Sequence, residues 1–289
     1  MPVNSESERT RLIVFVHIMK TAGTTLLSII RHHHASGEES YKINYNGSSK
    51  QVRRLKKVLK QQRDSLRLVH GHMDFSWSSL MPPDARFITM LRDPVQRVIS
   101  HYYHYRREEV SPIHPLAMRS SLLQWVRDCG IDEMDNGQTR RLAGAMSLPC
   151  GQVSSKTLEQ AKANLTSKFA VVGLTERFDE SQILLHRAFD WPLFRFSARN
   201  IGSNRPQRIE VSEEVLKEIE ICNRFDLELY RFAFELFEKN VNRIDMASEL
   251  AALKAAPEYV APVVEPARPA PVRRGILSRL GRLIAPKKD

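Results

Sequence analysis

The apolar positions fall into two alternating patterns, short unbroken runs and longer stretches of helical period. Leu12-Ile-Val-Phe-Val16 is an apolar run of strand length, and after a turn Leu26, Leu27, Ile29 and Ile30 recur at helical spacing to about His34. Phe87-Ile-Thr-Met-Leu91 repeats the arrangement. Val95, Val98, Ile99, Tyr102 and Tyr103 then mark a helix running to about Arg107, with Asp93 suited to its N-cap and Pro94 to its first turn. Between these units, Lys50–Arg67 carries Val52, Leu55, Leu59 and Leu66 on a narrow apolar stripe, and Arg67–His70 reads as a short strand. Ser212–Asn240 reads as one long or two short helices that bury Val215, Leu216, Ile219, Phe225, Leu229, Phe232 and Leu236. Strands alternating with helices predict an α/β fold.

The ends differ from this pattern. Residues 1–10 are polar and read as disordered, 11–254 as the folded domain, and 255–289 as a Pro-rich linker and tail. In the tail, Ile276, Leu277, Leu280, Leu283 and Ile284 share one face, with Arg279 and Arg282 beside it. That is a short basic amphipathic helix over 275–284, suited to peripheral contact with an anionic membrane or to a partner groove; a disordered basic tail fits as well.

Charge sharpens the picture. The 289 residues carry a formal net charge of +11, and the excess is local: Lys50–Arg67 holds eight Lys/Arg against Asp64 alone, and Pro257–Asp289 supplies the remainder. Local basic patches suit polyanions such as acidic glycans, anionic lipid or nucleic acid. The three cysteines, Cys129, Cys150 and Cys222, are widely spaced without a C-x-x-C and read as buried structural thiols. No stretch approaches the roughly 20 apolar residues that span a bilayer, and the polar N-terminus has no signal-peptide core. The expectation is a cytoplasmic, reduced protein. The triplet His32-His33-His34 does not place its rings on one helix face, and it reads as favourable partial charge at a helix C-terminus rather than a metal site.

Candidate chemistry gathers where strands end. After the first strand, Lys20, Thr21, Ala22, Gly23, Thr24 and Thr25 form a turn leading into a helix. The unpaired N–H groups and positive dipole of that helix start make an anion site, with Lys20 adding a full charge. It is not a Walker A loop, because Lys20 precedes the glycine instead of following it. After Leu91, Arg92 sits at a second corner, and Arg97, Ser100 and His104 recur along the helix behind it. Two basic corners suit a ligand with two separated anionic groups, such as a nucleotide phosphorylated at both ends. Between them, His70-Gly71-His72 lies at the C-terminal end of a predicted strand, where ligands gather in open α/β sheets. A histidine there can serve as general base. No third ligand with suitable spacing makes it a metal site.

On these residues the chain resembles the PAPS-dependent sulfotransferases, where PAPS is 3′-phosphoadenosine-5′-phosphosulfate, and is most similar to the branch containing the heparan sulfate and uronyl 2-O-sulfotransferases. The phosphosulfate loop of that family is matched by Met19-Lys-Thr-Ala-Gly-Thr-Thr25, with Met19 in place of its proline. The 3′-phosphate element is matched by Arg92-Asp-Pro-Val-Gln-Arg-Val-Ile-Ser-His-Tyr-Tyr103, and the H-G-H element by His70–His72. Asn136–Gly144, Phe169–Glu176 and Arg224–Tyr230 extend the resemblance to about residues 11–240. It implies a P-loop-like three-layer α/β/α fold around a central parallel sheet, with a mostly helical C-terminal part and a flexible tail.

The implied activity is metal-free transfer of a sulfuryl group from PAPS to a hydroxyl of a saccharide, glycolipid or other acceptor, releasing 3′,5′-bisphosphoadenosine (PAP). In that scheme Lys20 acts on the oxygen bridging sulfur and 5′-phosphate, and the N–H groups and hydroxyls of Thr21–Thr25 hold the phosphosulfate. Arg92 and Ser100 hold the 3′-phosphate. His72 takes the acceptor proton, and His70 supports or orients it. Arg140 and Arg141 either face the acceptor or solvate a helix, and the Arg199/Arg205 loop could close over the nucleotide. The resemblance implies no specific nucleic-acid partner, and a homo-oligomer is compatible with it. A small-molecule kinase or a nonenzymatic polyanion-binding protein are the competing classes. The first is opposed by the non-Walker loop, and the second leaves the H-G-H element unexplained.

Overall fold

The most buried strand is the one with the least polar sequence. In the computed structural model, which describes residues 11–34, 39–43, 49–62, 65–128, 130–196 and 211–259, β1 (Ile13–Val16) is buried along its whole length and pairs in parallel on both sides. Its neighbours are β3 (Leu68–Gly71) and β4 (Arg86–Leu91). β2 (Ser40–Ile43) and β5 (Phe169–Leu174) complete a parallel sheet of order β2-β3-β1-β4-β5. Strands covered on both faces need no polar alternation, which is why β1, β3 and β4 read as near-continuous apolar runs.

Helices α1 (Gly23–His33), α2 (Ser49–Gln61), α3 (Pro94–Arg107) and α8 (Phe178–Phe189) alternate with or follow the strands. Between β4 and β5 the chain adds α4 (His114–Arg119), α5 (Leu122–Asp128), α6 (Gly137–Ala143) and α7 (Ser155–Ser167). The C-terminal part is helical as expected: α9 (Glu213–Cys222), α10 (Arg224–Val241) and α11 (Met246–Ala255). The 212–240 stretch is thus two helices, broken at Asn223. The Asn223 side-chain amide caps the Met134 and Ile219 carbonyls (3.0 Å each). A second apolar cluster around Val98, Tyr102, Trp125 and Ile219 joins α3, α5 and α9.

Two expectations are corrected here. His32–His34 do not serve as helix-end charge. Burial lowers all three titrations, His33 to about 4, and the rings pack as aromatic matter: His33 stacks on Trp191 at 5.1 Å and His32 lies 4.0 Å from Tyr259. That contact belongs to a two-residue pairing of Glu258–Tyr259 with Arg195–Phe196, inside the stretch read as linker. The cysteines are not a buried set either: Cys150 is exposed and Cys222 half-buried. Both thiols are pushed up to about 11, first by desolvation and then by Asp132 or Glu218. Residues 1–10, Cys129, Arg199, Arg205 and the 275–284 helix lie outside the described residues. Among the described residues no helix is long and apolar enough to cross a membrane.

Candidate active site

Because all five strands run parallel, their C-terminal ends share one edge, and the two basic corners meet there. The turn after β1 is unusual backbone: Lys20 (φ 67°) and Ala22 (φ 58°) are both left-handed. Two such residues in three positions turn the chain sharply enough to start α1 at Gly23. Leu26 N–H is the first to bond back, to Ala22 O at 3.2 Å, so the amides of Gly23, Thr24 and Thr25 face the turn without helical acceptors. Left-handed non-glycine residues cost energy and cluster at functional loops. Thr21 departs from expectation. It is fully buried and its hydroxyl donates to Ile18 O at 2.9 Å, so its side chain braces the turn from inside.

The second corner is tied to the first. Arg92, after β4, donates from its guanidinium to Lys20 O at 3.1 Å. Its backbone is fixed by a reciprocal pair with Gln138, whose Oε1 accepts from Arg92 N–H (3.0 Å) while its Nε2 donates to Arg92 O (2.9 Å). Glu176, at the end of β5, accepts from Asp93 N–H (3.0 Å), lies 4.0 Å from Arg92 Nε, and accepts from the Tyr230 hydroxyl (2.8 Å). The Asp93 side chain caps α3 through Gln96 N–H at 2.8 Å, with Pro94 in the first turn as expected. Ser100 and His104 are half-buried one turn apart on α3. Arg97 does not join them: it is fully buried and pairs with Glu133 (3.1 Å) and Asp226 (3.4 Å).

His70 and His72 lie between the two corners in sequence and differ in their partners. Gly71, between His70 and His72, has φ 143°, and a Cβ there would overlap Ile43 O. Only glycine lets the edge strand approach and still turns the chain toward β1. His72 Nδ1 bonds the His17 carbonyl at 3.0 Å. A carbonyl can only accept, so Nδ1 carries the proton and Nε2 keeps its lone pair. Desolvation and then Arg141 hold His72 down at about 4, against the raising effects of the His17 carbonyl and Glu133. The ring is therefore neutral at pH 7 and able to accept a proton. His70 has a different role from the one expected. Its Nε2 meets Arg31 of α1 at 3.2 Å, and burial and Arg31 hold it at about 3. His70 ties α1 to β3, and His17, not His70, orients His72. His104 is also lowered to about 4, by desolvation and then by Lys20.

Behind the site lies a buried charged network. Arg141 pairs with Glu133 and donates to Met73 O (3.0 Å). Burial would raise Glu133, but Arg141 and Arg97 hold it at about 2. Asp226 accepts from Gln138 N–H (3.1 Å), Thr139 N–H (2.7 Å), the Thr139 hydroxyl (2.8 Å) and Arg97. Arg140 pairs with Asp135 and donates to the Leu148 and Pro149 carbonyls. Arg140 and Arg141 are both fully buried, so neither faces an acceptor or solvates a helix. The 136–144 stretch is scaffold for the two corners. Among the described residues no group of three His, Cys, Asp or Glu is arranged to hold a metal. Residue-by-residue reading missed His17, whose position one residue past a buried strand is the only cue in the sequence.

The chain is similar to several known proteins. The galactose-3-O-sulfotransferase family model matches residues 1–264. Human heparan-sulfate 6-O-sulfotransferase 1 is 32% identical over 180 residues, covering 53% of this chain and 43% of that protein. The zebrafish (Danio rerio) heparan-sulfate 6-O-sulfotransferase 1-B is 30% identical over 180 residues, covering 53% of this chain and 44% of its own length. The chain thus spans less than half the length of these curated relatives. Among solved structures, mouse sulfotransferase SULT7A1 complexed with PAP aligns over 76% of this chain and 66% of its own, at 12% identity and a TM-score of 0.35. The names cover 3-O and 6-O transfer and do not single out the 2-O branch.

Proposed function

The chain belongs to the galactose-3-O-sulfotransferase family, and on that premise we propose that it transfers a sulfuryl group from PAPS to a hydroxyl of a saccharide acceptor. The turn and α1 N-terminus at Lys20–Thr25 receive the phosphosulfate through the Gly23, Thr24 and Thr25 amides. Arg92 and Ser100 receive the 3′-phosphate. The Arg92–Lys20 O bond sets the spacing between these two anion sites. In the transfer step the acceptor oxygen bonds to sulfur while the bond from sulfur to the 5′-phosphate oxygen breaks. His72 Nε2 takes the acceptor proton, and Lys20 neutralises the charge left on the departing PAP. As in phosphoryl transfer, most of the acceleration comes from positioning and charge neutralisation.

The observation that carries this reading is the His72 Nδ1 bond to the His17 carbonyl. It leaves Nε2 unprotonated on a ring that also packs against His17, whose side chain covers Gly23 of the anion turn. The basic face of α2, where Lys50, Arg53, Arg54, Lys56, Lys57 and Lys60 project from a segment without acidic residues, supports an acceptor carrying negative charge.

Calorimetric titration with PAP, with ATP and AMP as controls, tests the donor. Binding that requires the 3′-phosphate and weakens in Arg92→Ala is expected, and preference for ATP overturns the reading. For the base, His72→Ala should retain PAP affinity and lose about 10²–10⁴ in transfer rate. A parallel loss of PAP binding would remove His72 from that role.

A further inference from the structure

His17 touches both the base and the anion turn. It is the first residue past β1, and its N–H donates to Gly71 O at 3.0 Å while its carbonyl accepts from His72 Nδ1 at 3.0 Å. Its ring lies 4.4 Å from the His72 ring and stacks on Phe15 at 5.1 Å. On its other side the ring covers Gly23, where an added Cβ would overlap His17 Nε2 and Cδ2. Gly23 is the first residue of α1. Among the described residues neither ring nitrogen of His17 forms a hydrogen bond.

We propose that His17 is a positioning residue for the transfer step, its ring wedged between Gly23 and His72 so that the base keeps a fixed place relative to the anion-binding amides. This rests on the reading of His72 as base. The backbone of His17 sets the His72 tautomer whatever its side chain is. The ring sets where the imidazole plane stands and keeps water from it. His72 is otherwise faced by Arg141 and Glu133 from the scaffold, by Lys42 from β2, by His70 from β3 and by His104 from α3, none of which stacks on it. The glycine at position 23 is then explained by packing: the ring takes the volume a side chain would fill.

The test compares His17→Ala and His17→Phe with the wild-type protein. His17→Ala should lower kcat by about 10–100-fold, the scale of a misplaced catalytic group, with PAP affinity changed less than about threefold. By NMR of the ring nitrogens, His72 titration should move up toward the ordinary histidine range near 6.5, since water regains access to the ring. His17→Phe, which keeps a flat ring in the wedge, should recover most of the lost rate. Gly23→Ala should lower the melting temperature in the wild-type background and much less in His17→Ala. Unchanged kcat and unchanged His72 titration in His17→Ala, or PAP affinity falling in step with kcat, overturns the proposal. So does a phenylalanine variant as impaired as the alanine one, which would put a ring nitrogen in contact with substrate. If His72→Ala retains full transfer, the general-base reading fails instead, while the His72 titration and the Gly23 pair still decide the place of His17.

Discussion

Replacing His101 by leucine should stabilise the protein, and more so in acid. His101 lies on α3 next to Ser100, is fully buried, and has no hydrogen-bond partner on either ring nitrogen. It packs against Tyr105 (4.8 Å) and Trp125 (6.0 Å), whose indole nitrogen is also unpartnered. A buried polar group without a partner costs about 1–3 kcal/mol, and leucine has nearly the same volume without that cost. His101→Leu should therefore gain up to that amount at pH 7.5, or about 2–4 °C in Tm per kcal/mol for a domain of this size. Burial holds His101 at about 3, with Arg97, His104 and Lys20 opposing the pull of Glu133. Below pH 6.5 the unfolded chain binds a proton here that the native state does not, so wild-type stability falls as pH drops from 6.5 toward 3. From pH 7.5 to 5.5 this site alone costs the wild type about 1.4 kcal/mol, and the leucine variant escapes it. Urea unfolding followed by tryptophan fluorescence at both pH values measures the difference. A variant less stable at pH 7.5, or a gap that does not widen by pH 5.5, would refute the argument.

Three further outcomes are expected. Glu133→Gln leaves Arg97 and Arg141 fully buried without their shared carboxylate, and should cost about 3–5 kcal/mol in the same urea assay; a change under about 1 kcal/mol would mean that the guanidiniums find other partners. Gly71→Ala must adopt φ 143° and displace Ile43 O, at about 1–3 kcal/mol; hydrogen exchange should show faster exchange at 40–43 than elsewhere in the sheet, and equal protection would contradict the close approach. Burial and then Lys20 hold His104 at about 4; PAP brings negative charge to Lys20, so it should raise that titration. Calorimetry at pH 5 in buffers of different ionisation enthalpy should then show proton uptake on binding, and no dependence on buffer would count against the placement of PAP at Lys20.

The parts of this fold that are legible in the sequence are those set by local pattern. β1, β4 and α3 are continuous in the chain and carry their own signals: an apolar run, an Asp-Pro cap, a helical period. The turn at Lys20–Thr25 was legible as a strand-to-helix turn because its residue types and its place between an apolar run and a helical period suffice. What was not legible depends on distant pairing. Arg97 shares its nominal helix face with Ser100 and His104, but Glu133 and Asp226 approach from other elements and draw it inward. Arg140 and Arg141 look like solvated helix charges until Asp135, Glu133 and the Met73, Leu148 and Pro149 carbonyls close around them. His70 and His72 look equivalent in H-G-H, where strand alternation would put both on one face, yet β3 ends at Gly71 and the turn there leaves one on Arg31 and the other on the His17 carbonyl.

The buried charges explain how a short turn with two left-handed residues is held in place. Arg92 can brace Lys20 O only while its own backbone is fixed, and Gln138 and Glu176 fix it. Gln138 is placed by α6, whose first amides end on Asp226, while Asn136 Oδ1 accepts from the Phe225 and Asp226 amides of α10 (2.8 and 3.2 Å). Tyr230 of the same helix holds Glu176. A helix remote from the anion turn in sequence therefore sets the spacing of the two corners through the fully buried Asp226 and the partly exposed Glu176. The exchange of several buried ion pairs for apolar packing can leave a protein equally stable. Their use here is geometric: each carboxylate accepts from two or more elements at once, and an apolar side chain could not fix those elements in one register.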